Sequence, residues 1–88
     1  MKCLEHLKGK TVEVELVHKI YGKQIAHIED FQPREEKDTI GFCYNGTHIY
    51  LFCNEIETAI IENDYCIFEG KTQTIKIKRC WHSAKGML

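Results

Sequence analysis

"TIGFCYNGTHIYLFC", residues 39–53, holds an Asn-Gly pair between two apolar segments, a glycosylation-type Asn-x-Thr and two cysteines ten residues apart. Asn-Gly flanked by apolar segments is the strongest short-range signal for a β-hairpin, because a type I′ turn needs positive φ at both central positions. With Asn45-Gly46 as the turn, Tyr44 faces Thr47, Cys43 faces His48, Phe42 faces Ile49, Gly41 faces Tyr50, Ile40 faces Leu51 and Thr39 faces Phe52. One sheet face then collects Ile40, Phe42, Tyr44, Ile49, Leu51 and Cys53. The other collects Thr39, Gly41, Cys43, His48, Tyr50 and Phe52.

This register decides the compartment. Cys43 and Cys53 fall on opposite faces and roughly 16 Å apart along the strands, so a disulfide between them would break the hairpin. With Cys3, Cys66 and Cys80 the count is an odd five with no repeated spacing, which suits a reducing compartment. The sequon is then incidental, and the expected location is the cytoplasm. The start "MKCLEHLKGK" has no apolar h-region and no apolar run approaches the length of a bilayer span, so neither a signal peptide nor a membrane partner is expected.

The chain has 88 residues, which predicts a single domain spanning 1–88 near the size where one core is marginally sufficient. Hydrophobic residues at 43% and a single proline predict a folded chain. Net charge is −1, yet the charges segregate. Residues 24–70 carry ten acids against Arg34 and Lys37, a net of −8, whereas residues 71–88 carry Lys71, Lys76, Lys78, Arg79 and Lys85 with no acid. That basic end either balances the acidic middle or meets a polyanion.

Outward from the hairpin, Leu4 and Leu7 with Gly9 as a stop suggest a short helical turn, and Val12, Val14 and Leu16 alternate with Glu13 and Glu15 as a strand with one wet face. "GKQIAHIEDF" reads as a second strand after a turn near Tyr21-Gly22, with Ile25, Ile28 and Phe31 spaced as if by a bulge or a strong bend. "QPREEKD" reads as a polar loop. "NEIETAIIEND" reads as a turn running into a strand, and "YCIFEGKTQTIKIKRCW" as a closing hairpin turning around Glu69–Thr72, with Ile67, Ile75 and Ile77 inward. Six or seven short strands with tight turns predict an all-β fold, a small, strongly bent barrel.

"LKGKTVEVELVHKIYGKQIAHIEDF" resembles the first motif of Sm-like and related SH3-like small barrels: an alternating strand, a turn with Gly, and a bent strand ending near an acid. "IYLFCNEIETAI" resembles the segment in which a strand of those families ends in a polar residue and an Ile opens the last short strand. The YolD-like proteins and the Rho-binding antitermination proteins share this plan. The resemblance covers about residues 7–62 and implies fold rather than activity; beyond it, the C-terminal hairpin of residues 65–81 is an addition. The Asp-x-apolar-Asn and Arg-Gly elements of the RNA-binding Sm pocket have no counterpart, since the corresponding stretch is "IEDFQP" and no Arg-Gly occurs.

Five His and five Cys raise the question of a metal, but no closely spaced pair such as Cys-x-x-Cys is present. Cys80 with His82, and Cys43 with His48, are two-ligand pairs with no partner pair, so no metal and no cofactor are expected. Cys43 opposite His48 also has the spacing of a nucleophile and its base, yet a regular strand pair offers no oxyanion donors, and no phosphate loop or hydrolase motif occurs. A non-catalytic protein is expected.

The remaining clue is the face holding Cys43, His48, Tyr50 and Phe52, where Gly41 leaves room for a ring to lie across the strand. Aromatics on an outer face are covered by another part of the chain, by a second subunit, or by a partner. Residues 65–81, or the turn with Leu4 and Leu7, are the candidates for cover from within. The expectation is a binding module acting on a protein, with a homo-oligomer through exposed strand edges as one form. A phage or mobile-element regulator whose acidic middle inhibits a nucleic-acid enzyme is another. The alternative is RNA or DNA binding of the Sm-like kind through Lys76, Lys78, Arg79, Trp81 and His82 on the last strand.

Overall fold

In a computed structural model, residues 4–44 and 46–80 are described, with the side chain of Tyr44 left out of that description. A 3₁₀ turn, Glu5–Leu7, precedes β1 (Val12–His18), β2 (Gly22–Ile28), β3 (Pro33–Glu35), β4 (Thr39–Tyr44) and β5 (Thr47–Phe52). A second 3₁₀ turn, Cys53–Glu55, leads into β6 (Ile56–Ile61), β7 (Tyr65–Gly70) and β8 (Gln73–Arg79). The fold is all-β. Its strands form two antiparallel sheets, a five-stranded one ordered β2-β1-β8-β7-β6 and a three-stranded one ordered β3-β4-β5.

The alternation read in residues 12–16 becomes a strand whose Val12 and Val14 are fully buried while Glu13 and Glu15 stay in partial contact with water. The β4–β5 register is the one expected, from Tyr44↔Thr47 to Thr39↔Phe52. Gly46 adopts φ +76° at the turn, a region open to glycine at no steric cost; Asn45 lies outside the described residues. The alternation buries Phe42 and Leu51 inward. At the N-terminus, Leu7 N donates to Leu4 O at 3.0 Å, and both leucines are fully buried.

The core is one cluster that includes Leu4, Leu7, Val14, Phe31, Phe68 and Ile77. Phe31, just beyond β2, meets Phe42 of β4 with ring centroids 5.6 Å apart, which joins the two sheets. Phe31 is held by its backbone: its N–H donates to Lys10 O at 2.9 Å and its carbonyl accepts from Gly9 N at 2.7 Å.

Several expectations are corrected. "QPREEKD" is not all loop, since Pro33–Glu35 pair with β4. Pro33 is tolerated because it opens a strand at the sheet's edge, where a missing donor costs no ladder bond. Of the bulge or strong bend expected in the second strand, the bulge is absent, because β2 pairs with β1 in unbroken register from His18↔Gly22 to Val12↔Ile28. Its spacing arises because Ala26, opposite Val14, is the inward residue and Ile25 points outward. The irregular register lies in β6, between Ile56 and Thr58. Ile67 belongs to the outer face, opposite Lys76, while Cys66 and Phe68 take the inner positions. Cys53, expected on the core face, is exposed because the chain leaves the strand there for a 3₁₀ turn. The C-terminal hairpin is present and built into the sheet: β8 lies between β1 and β7, paired with β1 from His18↔Gln73 to Val12↔Arg79. Among the described residues no helix is long and apolar enough to cross a membrane.

Phe31 links both sheets while fully buried, so Phe31→Ala should cost about 3–5 kcal/mol in urea unfolding. Ile20→Ala, at a hairpin tip where the side chain is exposed, should stay within about 0.5 kcal/mol of the parent. Equal losses at the two positions would contradict this assignment of the core.

Candidate functional site

Burying Phe42 and Leu51 on one side of the β4–β5 hairpin forces Gly41, Cys43, His48, Tyr50 and Phe52 to the other. Tyr50 is 49% exposed and Phe52 53% exposed. Cover from within the chain, one of the three options open at the sequence level, is not seen among the described residues. Leu4, Leu7, Cys66, Phe68, Ile75 and Ile77 turn into the core instead of over this face, and Trp81 lies outside the described residues.

The rings are placed by their neighbours. A methyl group built on Gly41 would lie 3.0 Å from Tyr50 Cδ1, so the Tyr50 ring occupies the space that the missing side chain leaves. The His48 ring stacks beside Tyr50 at a centroid distance of 6.0 Å and an interplanar angle of 14°. His48 is also the cross-strand partner of Cys43, whose thiol is free and exposed. The four residues named from the sequence therefore share one face, with Tyr50 lying against the Gly41 backbone and near the His48 ring.

The basic strand has a different setting. Lys76 and Lys78 do share the outer face of β8, with Ile75 and Ile77 buried beneath them. Across the ladder, however, Lys76 sits opposite Glu15 and Lys78 opposite Glu13. Those acids also meet side chains of β2: Lys23 Nζ lies 3.5 Å from Glu15 Oε2, and His27 Nε2 lies 3.3 Å from Glu13 Oε1. The outer face thus alternates charge from strand to strand. Arg79 falls on the opposite parity, across from Val12, and is partly buried. Trp81 and His82, named for the same surface, lie outside the described residues.

No group of three or more His, Cys, Asp or Glu gathers to hold a metal ion among the described residues. Cys43 and His48 remain a pair on a regular ladder.

One surface was not anticipated. An apolar seam of about 300 Å³ opens between β6 and the β3–β4 corner, floored by Ile40, Cys53, Ile56, Ala59, Ile61 and Phe68. The signal was present in Ile60-Ile61, two adjacent apolar residues that must point to opposite faces of a strand. No family model, curated protein or solved structure matches this chain.

Gly41 supplies a test of the aromatic arrangement. Replacing a strand glycine by alanine ordinarily stabilises, by roughly 0.5–1 kcal/mol. Here the added carbon would lie 2.6 Å from Ile49 O as well as against Tyr50, so Gly41→Ala should instead destabilise by about 1–3 kcal/mol and displace the Tyr50 ring resonances. A stabilised variant with unchanged Tyr50 resonances would show that the ring does not lie over Gly41.

Proposed function

We propose that this chain is a non-catalytic binding module that recognises a protein through the face formed by Cys43, His48, Tyr50 and Phe52. The observation that carries the reading is the half-exposed Tyr50 ring, fixed by Gly41 and His48 beside the equally exposed Phe52. Tyrosine and other large aromatics dominate interface energetics because they bury much area at little entropic cost. A ring already held in place has still less freedom to lose on binding. Such a ring pair on the outer face of an edge hairpin is suited to a partner's surface pocket.

The partner is a foreign protein or a second copy of the chain joined through strand edges. The acidic middle of the sequence supports a regulator or inhibitor whose target carries a basic groove, including the nucleic-acid enzymes that phage and mobile-element proteins control. Five cysteines in odd number, with Cys43 and Cys53 both free and exposed, support action in the cytoplasm. The Sm-like resemblance enters only as a plan for the fold. RNA or DNA binding through Lys76 and Lys78 is the less supported reading, because Glu13 and Glu15 stand directly opposite those lysines and would repel a phosphate backbone.

Tyr50→Ala with Phe52→Ala should leave the unfolding free energy within about 1 kcal/mol of the parent, as for two exposed sites, while abolishing capture of the partner from a host lysate. Unfolding of the double variant would show instead that the rings are core. Lys76→Glu with Lys78→Glu should leave capture intact. A complex lost in that variant and weakening steeply with salt would transfer the function to nucleic acid.

A further inference from the structure

The seam beside β6 has the features of a second docking surface, independent of the Tyr50/Phe52 face. Register places Ala59 opposite Phe68 and Ile61 opposite Cys66, so all four share the side of the sheet that faces the core. Phe68 and Cys66 are buried, yet Ile61 on the next strand is 44% exposed and Ala59 is exposed too. The three-stranded sheet therefore covers the five-stranded one as far as β7 and stops short of β6. Among the described residues nothing covers the interior along that strand.

The backbone of β6 is open as well. It is bonded to β7 on one side and is the last strand of its sheet on the other. Proteins usually guard such an edge with Lys, Pro, a bulge or a covering segment. The sequence of β6, "IETAII", has no Lys and no Pro, and its one irregularity falls at Glu57, leaving Thr58–Ile61 regular. The opposite edge, β2, carries Lys23 and His27.

Charge around the seam is predominantly acidic. Glu35, Glu36 and Lys37 line it, with Leu4 N donating to Glu35 Oε2 at 2.7 Å and Arg34 Nε 3.9 Å from Glu36 Oε2, while Glu57 lies on β6 itself and Glu55 and Glu62 flank that strand in sequence. From Asp38 to Gly70 the chain has six acids and no Lys or Arg. A second copy pairing antiparallel through its own β6, centred on Ala59 and Ile60, would set Glu57 against Glu62, so self-pairing opposes like charges. A polyanion is disfavoured on the same ground.

We propose that this seam takes an extended, basic segment of a partner protein, which adds a strand to the open edge of β6. The segment sinks aliphatic side chains between Ile40 and Ile61 and carries Lys or Arg toward Glu57 and Glu62. Main-chain bonds to β6 supply affinity, the seam selects alternate side chains by size, and the acidic rim selects the flanking charge.

The test is selection from a random peptide library on the intact 88-residue chain, followed by amide-resonance mapping and by binding to variants. The expected peptides alternate aliphatic residues with Lys or Arg, shift the amides of residues 58–61, and bind about tenfold more weakly to Glu57→Lys with Glu62→Lys. Their binding should persist in Tyr50→Ala with Phe52→Ala, so failure at the aromatic face and failure at the seam are distinguishable. Amide mapping on the unmodified chain needs no variant and holds even if the charge-reversed protein folds poorly. Selected peptides without excess basic charge, shifts confined to other strands, or no selected peptide at all would overturn the proposal. A concentration-dependent dimer that Ile61→Lys abolishes would assign the seam to a second copy and overturn it too.

Discussion

The placement of β8 between β1 and β7 fixes almost everything else in this molecule. Val14 and Leu16 meet Ile77 and Ile75 across that pairing and form the centre of the inner face. With the middle of the sheet filled by the first and last long strands, β2 and β6 are left as its edges. The same pairing fixes the outer face, because a shift of one residue would bring Lys76 and Lys78 inward and Ile75 and Ile77 into water. It also joins residues 12–18 to residues 73–79, so the chain closes its sheet only when nearly all of it is available.

What could be read before the structure depended on whether an element carried its own signal. The β4–β5 hairpin did: two apolar stretches around Asn45-Gly46 leave one register that buries Phe42 and Leu51 together. Leu4, Leu7 and Gly9 did too, through the spacing of a single turn. By contrast, Pro33–Glu35 is three polar or conformationally restricted residues that become a strand only because β4 is beside them. Ile67 was misplaced for a related reason. In "YCIFEG" apolar residues occupy successive positions, so alternation does not set the parity, and the pairing of Phe68 with Ile75 does. The seam was out of reach because it depends on where the smaller sheet ends, a tertiary fact with no local pattern.

The two surfaces differ in what they ask of a partner. At the Tyr50/Phe52 face, on the edge strand β5, recognition is carried by the side chains placed by Gly41 and His48. At β6 the side chains are fewer and the free groups belong to the backbone. Specificity at the first arises from the shape of an aromatic pair. At the second it arises from pocket size and charge at alternate positions of an added strand.

Charge in this protein is segregated along the sequence but only partly so in space. The excess of Lys in residues 71–79 falls on β8, whose neighbour β1 carries Glu13 and Glu15 directly opposite, so the basic segment makes no basic surface there. The acidic segment has no such neighbour on its far side. Strand β6 pairs only with β7, and the turns around the pair add Glu55, Glu62 and Asp64. Cross-strand partners lie within about 5 Å, where their fields largely cancel beyond a Debye length of roughly 8 Å. Acids on an edge strand with no cation across the ladder keep their field. A nearly neutral chain therefore presents a mixed face at one end of its larger sheet and a more acidic one at the other, where the edge strand β6 carries no Lys.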